Sequence, residues 1–402
     1  MTVSTELPEV WLRPRKALPF FSRHPWVYVG AIADVTGNPQ PGSEVLLRSA
    51  EGNPIARGLY NPRSRVRVRL YSWQTDLPLD DGFWVQRLRE AIDLRRRLWG
   101  EFTPDTACRL VYSEADRLSG LIVDRFGAWL TVQFTSLALA QRRDLIVRAL
   151  RDLLQPRGIY LRTEKGIRSL EGLDLSDGLV WGELPPRPLF IVENNVRYGV
   201  DLVEGQKTGF YLDQRENRAA IARYCRGQRV LDLFCYSGGF GLNCLVNGGA
   251  AAVVAVDGSE AAVRLAENNA ALNGVGPRWQ VRHEEGFRAL EQLAAEQQRF
   301  GVVVLDPPKL ARHREGLEAA LRGYFSLNRL ALDLLEPGGL LLTCSCSGVV
   351  THELFVDTLA RVGLDAGRHI QILEARGPAP DHPASIHCLE SDYLKCYLCR
   401  VV

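Results

Sequence analysis

Apolar and polar positions change rhythm several times along this chain. Between residues 10 and 75, short apolar stretches are divided by turn signals: Gly37-Asn38-Pro39, Pro41-Gly42, Glu51-Gly52-Asn53-Pro54 and Asn61-Pro62. That rhythm predicts a small module built of strands. Inside it, Arg63-Ser64-Arg65-Val66-Arg67-Val68-Arg69-Leu70 alternates with period two. Val66, Val68 and Leu70 are expected to face a core, with Arg63, Arg65, Arg67 and Arg69 on the other face. Residues 77–99 place Val85, Leu88, Ile92 and Leu98 near helical spacing. A hairpin over 118–134 turning at Phe126-Gly127, a helix over 137–154 and a strand near 159–161 then predict an α+β section. Gly182-Glu183-Leu184-Pro185-Pro186-Arg187-Pro188 reads as a linker. The expected domains are residues 1–75, 76–190 and 191–402.

From Arg229 onward, apolar runs alternate with helical stretches. Strands are predicted at 229–234, 252–256, 279–282, 302–305, 340–344 and 393–402. Such βα alternation implies an α/β domain with a mostly parallel, doubly wound sheet. Ligands of these sheets bind at the carboxyl ends of the strands. Three chemical signals fall at such ends: Asp232-Leu233-Phe234-Cys235-Tyr236-Ser237-Gly238-Gly239-Phe240-Gly241, Asp306-Pro307-Pro308-Lys309, and Cys344-Ser345-Cys346-Ser347-Gly348.

The first signal lacks the Gly-Lys-Ser/Thr of a P-loop and is not a strict G-x-G-x-x-G. Its glycines let backbone approach a ligand, and Asp257 ends the next strand where a carboxylate accepts from ribose hydroxyls. Asp232 ahead of the glycines would repel the pyrophosphate of a nicotinamide dinucleotide but suits a sulfonium, which favours S-adenosylmethionine (SAM). In the second, two prolines fix φ and remove donors, so Asp306 and the local carbonyls are held rigidly against a planar base edge. In the third, a thiol at the cleft is a candidate nucleophile: C5 of a pyrimidine attacks poorly until a thiolate adds to C6. Cys346 is the candidate, and Cys344, two residues earlier on the same strand face, is its rival. Two other classes share these features. One is an RNA guanine N-methyltransferase that uses Asp-Pro-Pro with a passive Cys346. The other is a non-catalytic, SAM-retaining RNA-binding assembly factor.

Bulk properties narrow the setting. The chain of 402 residues is 46% hydrophobic and 24% charged, which is globular. No apolar run approaches the roughly eighteen residues of a membrane span, and residues 1–8 lack a charged-then-apolar leader pattern. Nine scattered cysteines suit reduced thiols and a cytoplasmic setting. Net charge is only +2, but residues 1–75 hold ten basic and five acidic side chains, leaving −3 for the rest. A basic module on a near-neutral body fits nucleic-acid docking, with the arginine row as a phosphate track. Cys396-Tyr397-Leu398-Cys399 has metal or redox spacing but lies in an apparent core strand. His382, in Asp381-His382-Pro383, is a possible proton acceptor.

These stretches, with His24-Pro25-Trp26-Val27, Gly205-Gln206-Lys207-Thr208-Gly209-Phe210-Tyr211-Leu212-Asp213-Gln214-Arg215 and Tyr393-Leu394-Lys395, make the whole chain resemble the bacterial large-subunit ribosomal RNA cytosine-C5 methyltransferases of the RlmI type. The resemblance implies an N-terminal PUA β-barrel that binds RNA, a small central α+β domain and a Rossmann-like SAM domain. It implies a homodimer and 5-methylcytosine as product. It makes Cys346 the nucleophile; from the residues themselves, Asp306 is expected to hold the N3/N4 edge of the base and Lys309 to orient the base or phosphate. Lys207, Thr208, Gly209 and Phe210 resemble the segment that packs on SAM. Around the cofactor it adds Asp232, Tyr236, Ser237, Gly238, Asp257, Ser259, Glu285, Asp306 and Pro307. Leu310 departs from the pattern, standing where an aromatic is common.

Overall fold

The computed structural model describes residues 7–402, so the first six residues of the expected N-terminal module lie outside the described residues. The chain forms two compact units. One gathers residues up to Leu189 with Asp201–Gly209 and Pro380–Ser391. The other gathers Phe190–Val200, Phe210–Ala379 and Asp392–Val402.

The first unit opens with a six-stranded sheet. Its strands run Trp26–Tyr28, Val66–Ser72, Pro54–Tyr60, Glu44–Arg48, Glu9–Leu12 and Ile32–Thr36 across the sheet. Val10, Leu12, Val27, Val45, Leu47, Val68 and Leu70 fill its core, as the alternation of the arginine-rich strand requires. The other face of that strand corrects the expectation of a four-arginine track. Arg69 donates to Glu114 at 3.3 Å, Glu171 at 3.2 Å and Ser119 at 3.0 Å. Arg67 folds back onto the carbonyls of Asn61 and Pro62. Of the four, only Arg63 and Arg65 are exposed. Carboxylates from distant sequence hold Arg69, and nearby backbone carbonyls hold Arg67, so half of the row is engaged within the chain.

A helix, Asp81–Trp99, follows, and a second sheet of Gly178–Gly182, Gly158–Arg162, Trp129–Phe134, Leu121–Phe126 and Ala107–Tyr112 completes this unit. The helix begins later than its apolar spacing suggests because the Asp80 carboxylate caps it, accepting the Phe83 N–H at 2.8 Å. The helix expected over 137–154 is two helices, Leu137–Ala140 and Arg143–Leu154. Arg142 breaks the run, with φ −97° and ψ 13°.

The second unit is built on a seven-stranded sheet. We label its strands β1 (Arg229–Leu233), β2 (Ala252–Asp257), β3 (Trp279–His283), β4 (Phe300–Leu305), β5 (Leu335–Ser345), β6 (Ile370–Arg376) and β7 (Lys395–Val401). The order across the sheet is β3-β2-β1-β4-β5-β7-β6. The first five are parallel, and β7 runs antiparallel between β5 and β6. The helices are α1 (Arg215–Ala222), α2 (Gly239–Val246), α3 (Glu260–Leu272), α4 (Gly286–Ala295), α5 (Leu317–Leu334) and α6 (His352–Ala366). Apolar faces of α4, α5 and α6 pack with Leu231, Leu233, Val303, Leu341 and Tyr397 into one core.

Two elements escaped the apolar pattern. A hairpin of Leu189–Glu193 and Val196–Val200 turns at Asn194-Asn195, both at positive φ, the conformation a two-residue hairpin turn demands. Strand β6 is an edge strand with a register shift between Ile372 and Glu374, which leaves Ile372 and Leu373 facing solvent. Period-two alternation is lost there.

Candidate functional site

The strand order reverses at β1, with β2 on one side and β4 on the other, and the turn leaving β1 holds three residues at positive φ. Phe234 (φ 64°), Tyr236 (φ 46°) and Gly238 (φ 78°) all adopt left-handed conformations. Non-glycine residues are held there only where the surroundings determine them, a hallmark of ligand-contacting turns. The restraints are visible. Cys235 N–H donates to the Val256 carbonyl at 3.0 Å and Gly238 N–H to the Cys235 carbonyl at 2.8 Å. Tyr236 N–H donates to Asp257 Oδ2 at 2.9 Å, and Ser259 N–H to Asp257 Oδ1 at 2.9 Å. A side chain at Gly238 would meet the Trp279 ring at 2.9 Å, so only glycine fits. Ser237 is buried, its carbonyl accepting from Asn269 at 3.1 Å.

Beneath this turn lies Asp232, 1% exposed, its Oδ2 accepting the Gly241 N–H at 2.8 Å. Burial pushes its carboxyl up to about 7, with the Gly241 hydrogen bond opposing. Ser259 caps α3, accepting the Ala262 N–H at 3.4 Å. Glu285 precedes α4, and its carboxylate stands 2.7 Å from where a Cβ on Gly258 would be. Asp257 and Glu285 thus flank one glycine at adjacent strand ends. The donor set fits a nucleoside: acidic acceptors for hydroxyl and amino groups, and a glycine turn open to backbone approach.

At the end of β4, Asp306 is half-buried and its Oδ1 accepts from the Gln214 side-chain amide at 3.0 Å. Pro307 is buried, and its carbonyl lies 3.8 Å from Cys346 Sγ. Lys309 is exposed. At the end of β5, which includes Cys344 and stops one residue before Cys346, the two cysteines separate cleanly. Cys344 is fully buried, 3.6 Å from Gln214 Nε2, and burial holds its thiol well above the ordinary range, with Cys396 next in effect. Cys346 is half-buried and is the only one of the nine cysteines that is not fully buried. Ser347, beside it, is anchored by the Ala311 N–H at 3.2 Å and the Tyr324 hydroxyl at 3.1 Å. Leu310 is half-buried and packs onto the apolar core of this unit.

The segment before α1 completes this side. Phe210 is buried against Tyr198, ring centroids 4.9 Å apart, with the Arg218 guanidinium 4.6 Å over its ring. Arg218 in turn pairs with buried Glu193 at 2.7 Å and donates to the Tyr211 carbonyl at 2.8 Å. Tyr211 stacks edge-on with Tyr236 at 5.3 Å. Its hydroxyl is pushed up by burial and then by Asp306, Tyr236, Asp213 and Cys346, which places these groups in one electrostatic neighbourhood. The Tyr393 hydroxyl donates to Asp213. Gln214, Asp213, Tyr211 and Tyr393 were visible in sequence only as parts of matching stretches. For Asp213 and Gln214 the signal was a pair of polar residues that the short helical turn Leu212–Gln214 buries.

Lys207, Thr208 and Gly209 belong to the first unit. The Thr208 hydroxyl donates to Asp124, which also holds Arg109 through two bonds at 2.7 and 2.8 Å. His382 lies in that unit too, buried with Nδ1 2.8 Å from Asp381. Cys396 and Cys399 are free and buried, and burial pushes the Cys399 thiol up to about 12. Both sulfurs are closed off from solvent.

Comparison with known proteins adds independent findings. Residues 180–388 match the family model described as S-adenosylmethionine-dependent methyltransferase, and residues 10–73 match a PUA-like domain. A protein of Tolumonas auensis named ribosomal RNA large subunit methyltransferase I is 40% identical over 98% of this chain and 99% of its own. Its namesake in Aeromonas hydrophila subsp. hydrophila is 43% identical over 93% and 94%. Among solved structures, one described as a SAM-dependent methyltransferase from Streptococcus mutans superposes with a TM-score of 0.83 at 19% identity, covering 98% of this chain and 99% of that one. Another, solved with S-adenosylhomocysteine (SAH), reaches 0.85 at 20% identity with the same coverage.

Proposed function

This chain belongs to the S-adenosylmethionine-dependent methyltransferases of the ribosomal RNA large subunit methyltransferase I family, and we propose that it methylates carbon 5 of a cytosine in large-subunit ribosomal RNA through a covalent bond to Cys346. The observation that carries this reading is the placement of one accessible thiol beside Asp306-Pro307-Pro308, while its rival Cys344 is sealed in the core.

The residues divide the work as follows. Asp257 and Glu285 hold the ribose and adenine ends of the cofactor, and the turn from Tyr236 to Gly238 lets backbone approach it. Bound SAM supplies an electrophilic methyl group. Asp306, kept in place by Gln214, accepts from the exocyclic amine of cytosine, a donor that uracil lacks. The Cys346 thiolate adds to C6, and the C5–C6 π pair moves to C5, from which it would displace SAH from the methyl group of bound SAM. A base removes the C5 proton. That electron pair restores the C5–C6 double bond as the sulfur–C6 bond breaks and the thiolate departs. Lys309, exposed at the same strand end, orients the base or its phosphate.

The target base must leave its stack or lie in a loop. Arg63 and Arg65 contact phosphate from the N-terminal module. We retain residues 1–75, 76–190 and 191–402 as the RNA-docking, central and methyl-transfer modules. The family resemblance supports a homodimer. Nine free cysteines support a reducing, cytoplasmic setting. Among the described residues no helix is long and apolar enough to cross a membrane.

The test is a trap. Ribosomal RNA carrying 5-fluorocytidine, incubated with SAM, cannot lose fluorine as a proton is lost. A denaturation-resistant adduct on Cys346 is expected in the native chain and in Cys344→Ala, and none in Cys346→Ala. Methyl found on a guanine nitrogen, with no adduct, overturns the proposal.

A further inference from the structure

Strands β5 and β7 pair antiparallel, with Cys344 opposite Cys396 and Ser345 opposite Lys395. Lys395 is 1% exposed. Its ammonium reaches past Ser345, donating to the Ser347 carbonyl at 2.8 Å and the Tyr393 carbonyl at 2.7 Å. The backbone of Lys395 is thus level with Ser345 while its nitrogen is bonded at Ser347. The side chain therefore runs alongside the residue between them, Cys346.

Both of these partners are neutral carbonyls, an unusual setting for a buried charge. Burial lowers the Lys395 pKa to about 8. Cys346 is the leading influence that opposes this, followed by Asp392, while Lys309 adds repulsion. On the β4 side, Asp306 and the Tyr211 hydroxyl share the neighbourhood of Cys346, and Tyr324 meets it from α5. A carboxylate near a thiol disfavours the ionised form, and a nearby cation favours it.

We propose that Lys395 is a positioning residue for Cys346, its buried ammonium stabilising the thiolate and its bond to the Ser347 carbonyl holding the turn that carries the sulfur. The inference rests on Cys346 being the nucleophile. The thiol proton goes to solvent and leaves an ammonium–thiolate pair. The pair exists between the thiol pKa and the lysine pKa, and deprotonation of Lys395 removes its support at higher pH.

Thiolate formation can be read without RNA. Iodoacetamide alkylation of Cys346, followed by peptide mass spectrometry as a function of pH, is selective because the other eight cysteines are buried. In the native chain the apparent pKa is expected below the roughly 8.5 of a free cysteine. Lys395→Met is expected to raise it and slow alkylation about tenfold at neutral pH, while Lys395→Arg restores the native profile. Circular dichroism and SAH affinity verify that each variant folds. If Lys395→Met does not fold, the native profile still decides, since an apparent pKa at or above 8.5 overturns the proposal. An unchanged profile in a folded Lys395→Met also overturns it. Failure of the underlying reading looks different: Cys346→Ala then methylates normally, whatever the alkylation profile.

Discussion

The Gln214 side-chain amide donates to the Asp306 carboxylate at 3.0 Å, and its orientation is not free. Gln214 Oε1 accepts from Asn217 Nδ2 at 2.6 Å, and Asn217 Oδ1 accepts from Arg376 Nε at 2.9 Å. The chain from Arg376 to Asn217 to Gln214 therefore fixes which end of the amide faces Asp306. Gln214→Glu puts a second carboxylate at that contact. The two acids can share a proton at low pH but repel once both ionise. Single-turnover methylation by Gln214→Glu is expected to fall about tenfold or more at neutral pH and to approach the native rate, compared at the same pH, as pH is lowered. SAH affinity is expected to stay near native. An unchanged rate at every pH would show that Gln214 does not hold Asp306.

Asp257 uses both oxygens on backbone N–H groups of the turns after β1 and β2. Asn at this position keeps one acceptor but turns an amino group toward an N–H. Hydrogen bonds to a charged partner contribute about 1.5–3 kcal/mol each. Asp257→Asn is accordingly expected to weaken SAH binding by about tenfold or more in calorimetry, with a lower unfolding temperature. Native affinity in this variant would remove Asp257 from the cofactor site.

The parallel strands were legible because strands buried on both faces are almost continuously apolar, as in Val302-Val303-Val304-Leu305. Their carboxyl ends also announced Asp257, Asp306 and Cys346, since ligands of this architecture collect there. Strand β6 was illegible because an edge strand with a bulge loses its alternation. Lys395 and Gln214 were present in motifs, but their roles arise from pairing between distant segments. A lysine in a terminal strand carries no local mark of being buried beside a thiol. Arg69 shows the same limit from the other side. Alternation gave its face correctly but could not tell that Glu114 and Glu171 would cover it.

That difference can be measured. Arg69→Ala leaves two partly buried carboxylates without their cation, a loss expected to cost about 3–5 kcal/mol. It should lower the unfolding temperature sharply, and its effect on RNA affinity should follow stability. Arg63→Ala and Arg65→Ala are expected to leave stability within about 0.5 kcal/mol of native. Each should weaken RNA binding and reduce the salt dependence of affinity by about one counterion. Equal salt slopes in native and doubly substituted protein would exclude this strand as a phosphate contact.

Asp232 makes stability depend on pH in a direction opposite to that of an ordinary paired carboxylate. Burial beneath the glycine turn raises its pKa to about 7, against the Gly241 hydrogen bond and Arg218, with Asp306 and Asp257 adding to the rise. In the unfolded chain the same group titrates near its usual value of about 3.9. The folded state therefore binds the proton more tightly, and the group's stabilising contribution is complete below about pH 4. It is lost progressively as pH rises toward about 7, because the folded protein must then either keep a proton or bury a charge. Asp232→Asn retains an oxygen for the Gly241 N–H and cannot titrate. Without cofactor, the native chain is expected to lose unfolding temperature between about pH 5 and about pH 7.5 relative to Asp232→Asn, which should be the more stable of the two at the upper end. The histidines and remaining acids are common to both proteins, so the difference between the two curves isolates this one carboxyl group. Parallel curves would mean that Asp232 is already ionised in the folded state, held by Gly241 and Arg218 strongly enough to overcome its burial.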